Sequence, residues 1–398
     1  MRTRGAIVTI VPALLAVACL QSGSTEAQEN TLARLSAAVN ASAPITLQLS
    51  QESTDAQMAA TRAYWTPERL ANARPMLPRV NETAVAAEVA STAIGPPVSF
   101  PGKRPTVKIK PQVTYRLYDP ALAQIQPEAD GIESQAAGSL GARFTSANAG
   151  GPFGIFGSFY PHSTTGKLFF TTPTGDAVCS ASVFRLRIVV TAGHCVHTGS
   201  GGTAGFYTNF MFIPAYRDGF ADLGLFFTPR TVGATDLWMT GGGTVPNVAD
   251  FGMFDMKDVL LGVPPTATKI GSITGLLGLR TLGLLPNHTT KLGYPSNLDF
   301  GQRMQEVTSQ SFRAVAPNNV EAGSNAGAGS DGGPWIENFG TQPLVGGLPF
   351  AQANRLVGVT SYALSTLTML QGSSIPDSRV GGFIPLLDAM CALRVGNC

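Results

Sequence analysis

Charge is the scarcest property of this 398-residue chain. Asp, Glu, Lys and Arg together make up 13% of it, about half the share usual for a soluble globular domain. The net charge is +2 and no long run of Lys or Arg occurs. A general nucleic-acid-binding surface, which depends on clustered cations, is therefore not expected. There are only four histidines and five cysteines. No CxxC pair exists, and His197, two residues after Cys195, has no partner motif. The sequence thus carries no metal signature of the zinc type. After the first 20 residues no stretch is long and apolar enough for a membrane-spanning helix. No internal repeat is evident.

What the chain does have is apolar residues, 44% of the total, cut into short runs by 45 glycines and 28 prolines. With 8% aromatics, that pattern leans to an all-β sandwich or barrel. At the N-terminus Arg2 and Arg4 precede an apolar stretch from Ala6 to Leu20, which reads as a secretory signal. Cleavage is expected after Ala18 or after Ala27, and residues 1–27 are read as the signal. Cys19 follows the first of these sites and would suit a lipid anchor, although Ala16 stands where a larger aliphatic residue is usual. A secreted protein is expected, with a periplasmic or Cys19-anchored one as the alternative. Without Cys19 four cysteines remain: Cys179, Cys195, Cys391 and Cys398. An even number in an exported chain favours disulfides. Three pairings are possible, and nearness favours Cys179–Cys195 and Cys391–Cys398.

Residues 28–140 read as a leader or pro-segment. They have few large apolar residues and weak helical periodicity over Asn30–Asn40 and Ser53–Tyr64. Thr66-Pro67-Glu68 is a helix start, with Thr as N-cap and Pro at the first helical position. Pro75 and Pro78 end that helix, and the Pro- and Lys-rich run 96–111 reads as an extended linker. From about residue 150 the pattern becomes β-like. Lys167–Thr172, Val178–Phe184 and Ile188–Val190 are strand-type runs separated by turn residues, and Pro385–Leu393 suits a short helix. Residues 141–398 are read as the main domain.

Thr191-Ala192-Gly193-His194-Cys195 follows a strand-like run. Small residues there allow a tight turn, and a disulfide to Cys179 would pin it. This is a way to hold an imidazole rigid, as a general base requires. Asp250 follows 56 residues later in Ala249-Asp250-Phe251-Gly252, with Asp222, Asp236 and Asp255 as rivals. Gly329-Ser330-Asp331-Gly332-Gly333-Pro334-Trp335 supplies a glycine-rich turn whose amides can face a developing oxyanion.

These strings resemble the trypsin-like serine peptidases, in particular the secreted bacterial branch that includes the glutamyl endopeptidases. The resemblance covers roughly 158–361 well. Tyr64-Trp65-Thr66-Pro67-Glu68-Arg69 is similar to the leaders of secreted bacterial members. The resemblance implies two six-stranded antiparallel β-barrels with the site between them. It assigns His194 as base, Asp250 as its orienting acid, and the amides of Gly329 and Asp331 as the oxyanion hole. Asn325 would lie near the base of the specificity pocket. Leu356–Tyr362 would supply the strand, with Ser361 and Tyr362, whose edge pairs with a substrate peptide by β-augmentation. It implies a peptide or protein substrate, a monomer, and no cofactor or metal.

One position departs from the family. The nucleophilic serine stands immediately before Gly-Gly-Pro in the family, and here that residue is Asp331, with Ser330 one place early. A carboxylate has no proton to give at neutral pH, places negative charge beside the oxyanion hole, and favours a protonated imidazole. Two expectations follow. One is a serine endopeptidase impaired at Asp331, or using Ser330 as a shifted nucleophile. The other is an inactive pseudopeptidase that keeps the cleft as a peptide-binding module.

Overall fold

Ile188-Val189-Val190-Thr191 is a run of four β-branched residues and forms a strand buried along its whole length. Such side chains are stiff at χ1 and pack well on a pleated surface. In the computed structural model, which describes residues 48–80, 93–110, 116–122, 138–149, 156–341, 352–364 and 369–398, this strand belongs to a first barrel. Its six strands are β1 (Thr165–Thr172), β2 (Gly175–Val183), β3 (Ile188–Thr191), β4 (Thr208–Pro214), β5 (Pro229–Ala234) and β6 (Gly252–Met256). They pair antiparallel in the order β5-β6-β3-β2-β1-β4. Phe212 in β4 and Phe227, just before β5, exchange two backbone hydrogen bonds of 2.8 Å and close the ring.

The second barrel is built from β7 (His288–Gly293), β8 (Gln305–Val315), β9 (Asn319–Gly323), β10 (Pro334–Glu337), β11 (Arg355–Val359) and β12 (Leu370–Ser374). Its antiparallel order is β11-β10-β7-β8-β9-β12. The chain leaving β11 closes it: Ser361 N–H donates to the Gly372 carbonyl at 2.8 Å, and Tyr362–Ala363 pairs with β12. The architecture is therefore all-β with two six-stranded antiparallel barrels and a short C-terminal helix, Phe383–Ala392, as the sequence implied. Disulfides join Cys179 to Cys195 and Cys391 to Cys398.

The described residues of the segment read as a leader pack on the apolar core of the barrels. Helix α1 (Asp55–Tyr64) starts in a capping box between Thr54 and Gln57. Helix α2 (Pro67–Asn72) starts as expected, with Thr66 accepting from the Arg69 amide and Pro67 at the first position. Trp65 and Leu70 are buried in the same apolar cluster as Phe169, Phe254, Leu292 and Leu386. The Pro-rich stretch is extended where described, but it is tied down. Ser99–Phe100 pairs with Gly278–Arg280, and Lys103 N–H donates to the Leu276 carbonyl at 2.8 Å. The described residues all belong to one compact unit. Arg74–Pro75 pairs parallel with Ala177–Val178, on the edge of β2 where its pairing with β3, confined to Ser182–Val183, does not reach. The signal reading of residues 1–27, Cys19 included, lies outside the described residues. Among the described residues no helix is long and apolar enough to cross a membrane.

Candidate active site

The string Thr191-Ala192-Gly193-His194-Cys195 ends β3 and turns at once into a single 3-10 turn, Gly193–Cys195. The bond from Cys195 to Cys179 in β2 fixes that turn to the neighbouring strand. His194 is thereby held at the barrel edge, 4% exposed, with the edge of its ring against Trp238 at 6.0 Å between centroids. Asp250 sits two residues before the start of β6, the antiparallel partner of β3. Its Oδ1 accepts from the His194 amide at 2.9 Å, and its Oδ2 lies 2.8 Å from His194 Nδ1. Ser361 donates its hydroxyl to the same Oδ2 at 2.6 Å. The other aspartates weighed from the sequence are elsewhere. Asp222 pairs with Arg217, Asp255 with Arg394, and Asp236 begins a short helix.

The glycine-rich turn before β10 comes from the second barrel and reaches into the first. Ser180 N–H of β2 donates to the Asp331 carbonyl at 2.7 Å, and Ser180 Oγ donates to the Gly329 carbonyl at 2.8 Å. Gly329 has φ +95°, and a Cβ there would lie 2.5 Å from the Tyr294 carbonyl oxygen. Only glycine fits that approach and that backbone region. The turn delivers Asp331 Oδ1 to 3.1 Å from His194 Nε2. The second oxygen, Oδ2, is buried without a hydrogen-bond partner among the described residues. Ser330 faces the other way. Its hydroxyl donates to the Gly327 carbonyl at 2.7 Å and accepts from Gln371 Nε2 at 2.8 Å.

The imidazole thus has a carboxylate oxygen at each ring nitrogen. Serving both as a donor requires two N–H groups, which only the imidazolium has. Burial by itself would lower the pKa of His194, but the carboxylates of Asp250 and Asp331 outweigh it and raise the value to about 10. Burial raises Asp331 to about 6, against the lowering effect of the neighbouring imidazolium. With His194 at about 10 and Asp331 at about 6, an imidazolium faces an ionised Asp331 at neutral pH.

Asn325 follows β9 and Tyr362 follows β11, both in the second barrel. Asn325 is buried and donates from Nδ2 to Ser146 Oγ at 3.0 Å. Tyr362 is fully buried, with its hydroxyl donating to Glu321 Oε1 at 3.1 Å. The edge after β11 presents main-chain groups at Ala363. Of the two amides assigned to the oxyanion hole, that of Gly329 donates to the Met76 carbonyl at 2.7 Å. Sequence reasoning missed Trp238 behind the imidazole, Gln371 holding Ser330, and Met76. Trp238 and Gln371 carry no local motif. The leader string around Trp65 marked a segment that docks, but nothing in it gave the destination.

No protein-family model and no curated protein sequence matches the chain. Among solved structures the chain is similar to the protease Anisep from Arthrobacter nicotinovorans, with 22% identity over 58% of this chain and 96% of that one, and a TM-score of 0.47. It is also similar to the thermostable serine protease AL20 from an extremophilic microorganism, with 21% identity over 54% and 91% of the two chains and a TM-score of 0.44. A Glu endopeptidase in complex with MPD gives 15% identity, 65% and 98% coverage, and a TM-score of 0.45.

Proposed function

We propose that this chain is a secreted protein of the trypsin-like serine endopeptidase type in which hydrolysis by acyl transfer is disabled at residue 331, leaving the cleft as a peptide-binding groove. The observation that carries this reading is the 3.1 Å contact between His194 Nε2 and Asp331 Oδ1. In acyl transfer the nucleophile gives its proton to that nitrogen and attacks the carbonyl. Here the nitrogen carries a proton already and donates it to the group that should have been deprotonated. The carboxylate also puts a negative charge on the turn whose Gly329 and Asp331 amides would have to receive a second one. The base, its orienting acid and the turn remain, and the nucleophile does not.

A shifted nucleophile finds no support in the geometry. Using Ser330 would require breaking its bonds to Gly327 and Gln371 and rotating the turn that positions both amides. Misplacement by about 1 Å costs on the order of a hundredfold in rate. The test is hydrolysis of a general peptide and a small ester substrate by wild type, Asp331→Ser and Ser330→Ala, with Asp331→Ser also measured together with Met76→Pro. The expected result is no turnover by wild type and a gain on the order of 10³-fold or more for Asp331→Ser in at least one of its two backgrounds, abolished by His194→Ala. Turnover by wild type that Ser330→Ala removes would overturn the reading.

A further inference from the structure

The cleft is not empty of polypeptide. Residues Arg74–Val80, which follow α2, run through it in extended form. Arg74 and Pro75 pair parallel with Ala177 and Val178 of β2. The Met76 amide then donates to the Val178 carbonyl at 3.1 Å, and the Met76 carbonyl accepts from the Gly329 amide at 2.7 Å. Two residues on, the Pro78 carbonyl accepts from the Ala363 amide at 3.1 Å, and the Val80 amide donates to the Ala363 carbonyl at 3.0 Å. Val80 also packs on the apolar cluster of Ala142, Tyr362, Leu364 and Leu370. One short stretch therefore engages an edge of the first barrel, the Gly329 amide and the free edge of the second barrel in succession.

We infer that Arg74–Val80 is a built-in occupant of the cleft, a strand of the protein's own chain that takes the main-chain positions an incoming peptide would need. The inference rests on the proposed reading of the cleft as a peptide-binding groove, with Gly329 as an oxyanion donor and the edge expected at Leu356–Tyr362 extended by one residue to Ala363. Its physical basis is direct. Each of these backbone groups can form its hydrogen bond with the segment or with a ligand, and a buried amide left without either is costly. Pro75 and Pro78 bias the segment to an extended form before it docks, which lowers the ordering cost. Trp65 anchors it upstream, with Nε1 donating to the Asn209 carbonyl at 2.6 Å and its ring against Phe169. Tyr64 and Arg69 add hydrogen bonds to Asp176 at 2.6 and 3.0 Å. A tethered strand competes at an effective concentration of about millimolar, so a free peptide enters only when the segment is displaced. The partner class follows from the occupant: an extended, proline-containing peptide recognised through its main chain.

The experiment uses the full chain and a fluorescein-labelled heptapeptide of sequence Arg-Pro-Met-Leu-Pro-Arg-Val. Met76→Pro removes the amide that donates to Val178. Val80→Pro removes the one that donates to Ala363, at the other end of the segment, so the test does not hang on one variant folding. Fluorescence anisotropy should show binding at least tenfold tighter in each variant than in wild type. Amide hydrogen exchange at Gly329 should be at least tenfold faster in Met76→Pro than in wild type. Equal peptide affinity in all three proteins, or a Gly329 amide that exchanges as fast in wild type as in the variant, overturns the inference. Activity separates it from the functional reading. If Asp331→Ser hydrolyses peptide as fast as Asp331→Ser with Met76→Pro, the occupied cleft is wrong and the peptidase-type reading stands. If the double variant is inert while exchange and peptide binding respond, the peptidase-type reading is wrong and the occupied cleft stands.

Discussion

A serine hydroxyl at residue 331 would donate to His194 Nε2, whereas the carboxylate there accepts. That reversal fixes the protonation of the site and makes it measurable. His194 is raised from an ordinary 6.5 to about 10, so the folded state binds a proton that the unfolded chain releases between those values. The stabilisation from the imidazolium is fully present below about pH 6.5 and is lost as pH rises through about 10. Asp331 is raised from 3.8 to about 6, so its contribution is likewise lost on going up in pH, through about 6. Denaturant midpoints measured from pH 6.5 to 10 should therefore fall in wild type. In Asp331→Asn, which removes one carboxylate, they should fall less, and the His194 ring resonances should titrate at lower pH. An imidazole titrating near 6.5 in wild type would contradict this. Ser330→Ala is expected to cost about 1–2 kcal/mol in urea unfolding, because it leaves the buried Gln371 donor with one partner fewer.

The turn Gly329–Gly333 and the turn Gly193–Cys195 are the elements that bring Asp331 and His194 together, and both are tightly restrained. Gly332 has φ +71°, and a Cβ there would lie 1.9 Å from Thr191 Oγ1 and 2.5 Å from the Ser180 carbonyl oxygen. Gly332→Ala should lower stability by several kcal/mol, roughly the sum of a positive-φ penalty and an overpacked contact, and thermal melts would read it. The disulfide between Cys179 and Cys195 closes a 16-residue separation. Replacing both cysteines by Ala should cost about 3 kcal/mol and broaden the His194 resonance as its turn loosens. A melt unchanged by the double substitution would show that the strand pairing of β2 with β3 suffices.

At the scale of the whole molecule, Trp65 and Leu70 meet residues of both barrels in one large apolar cluster running to Met390, with two smaller clusters beside it that Ala93 and Val80 pack against. A shared core couples the parts. Denaturation followed by aromatic near-UV and by far-UV circular dichroism should therefore give coincident transitions. A separate early transition would show that the segments before residue 140 unfold by themselves.

Much of this was legible in the sequence because it is local. Strand runs such as Ile188–Thr191, the Thr66 cap, the turn around His194 and the glycine-rich string around Asp331 are statements about neighbouring residues. Backbone preference and side-chain chemistry settle those over a few positions. Nearness in the chain also favoured the two cysteine pairs that the structure contains. What only the tertiary structure decided involves residues far apart: that Ser330 faces Gln371 and not His194, that Ser361 supports Asp250, and that Met76 meets Gly329. Such meetings depend on how two closed barrels and an extended strand dock, and that is set by the summed burial of many side chains, which no short stretch of sequence encodes.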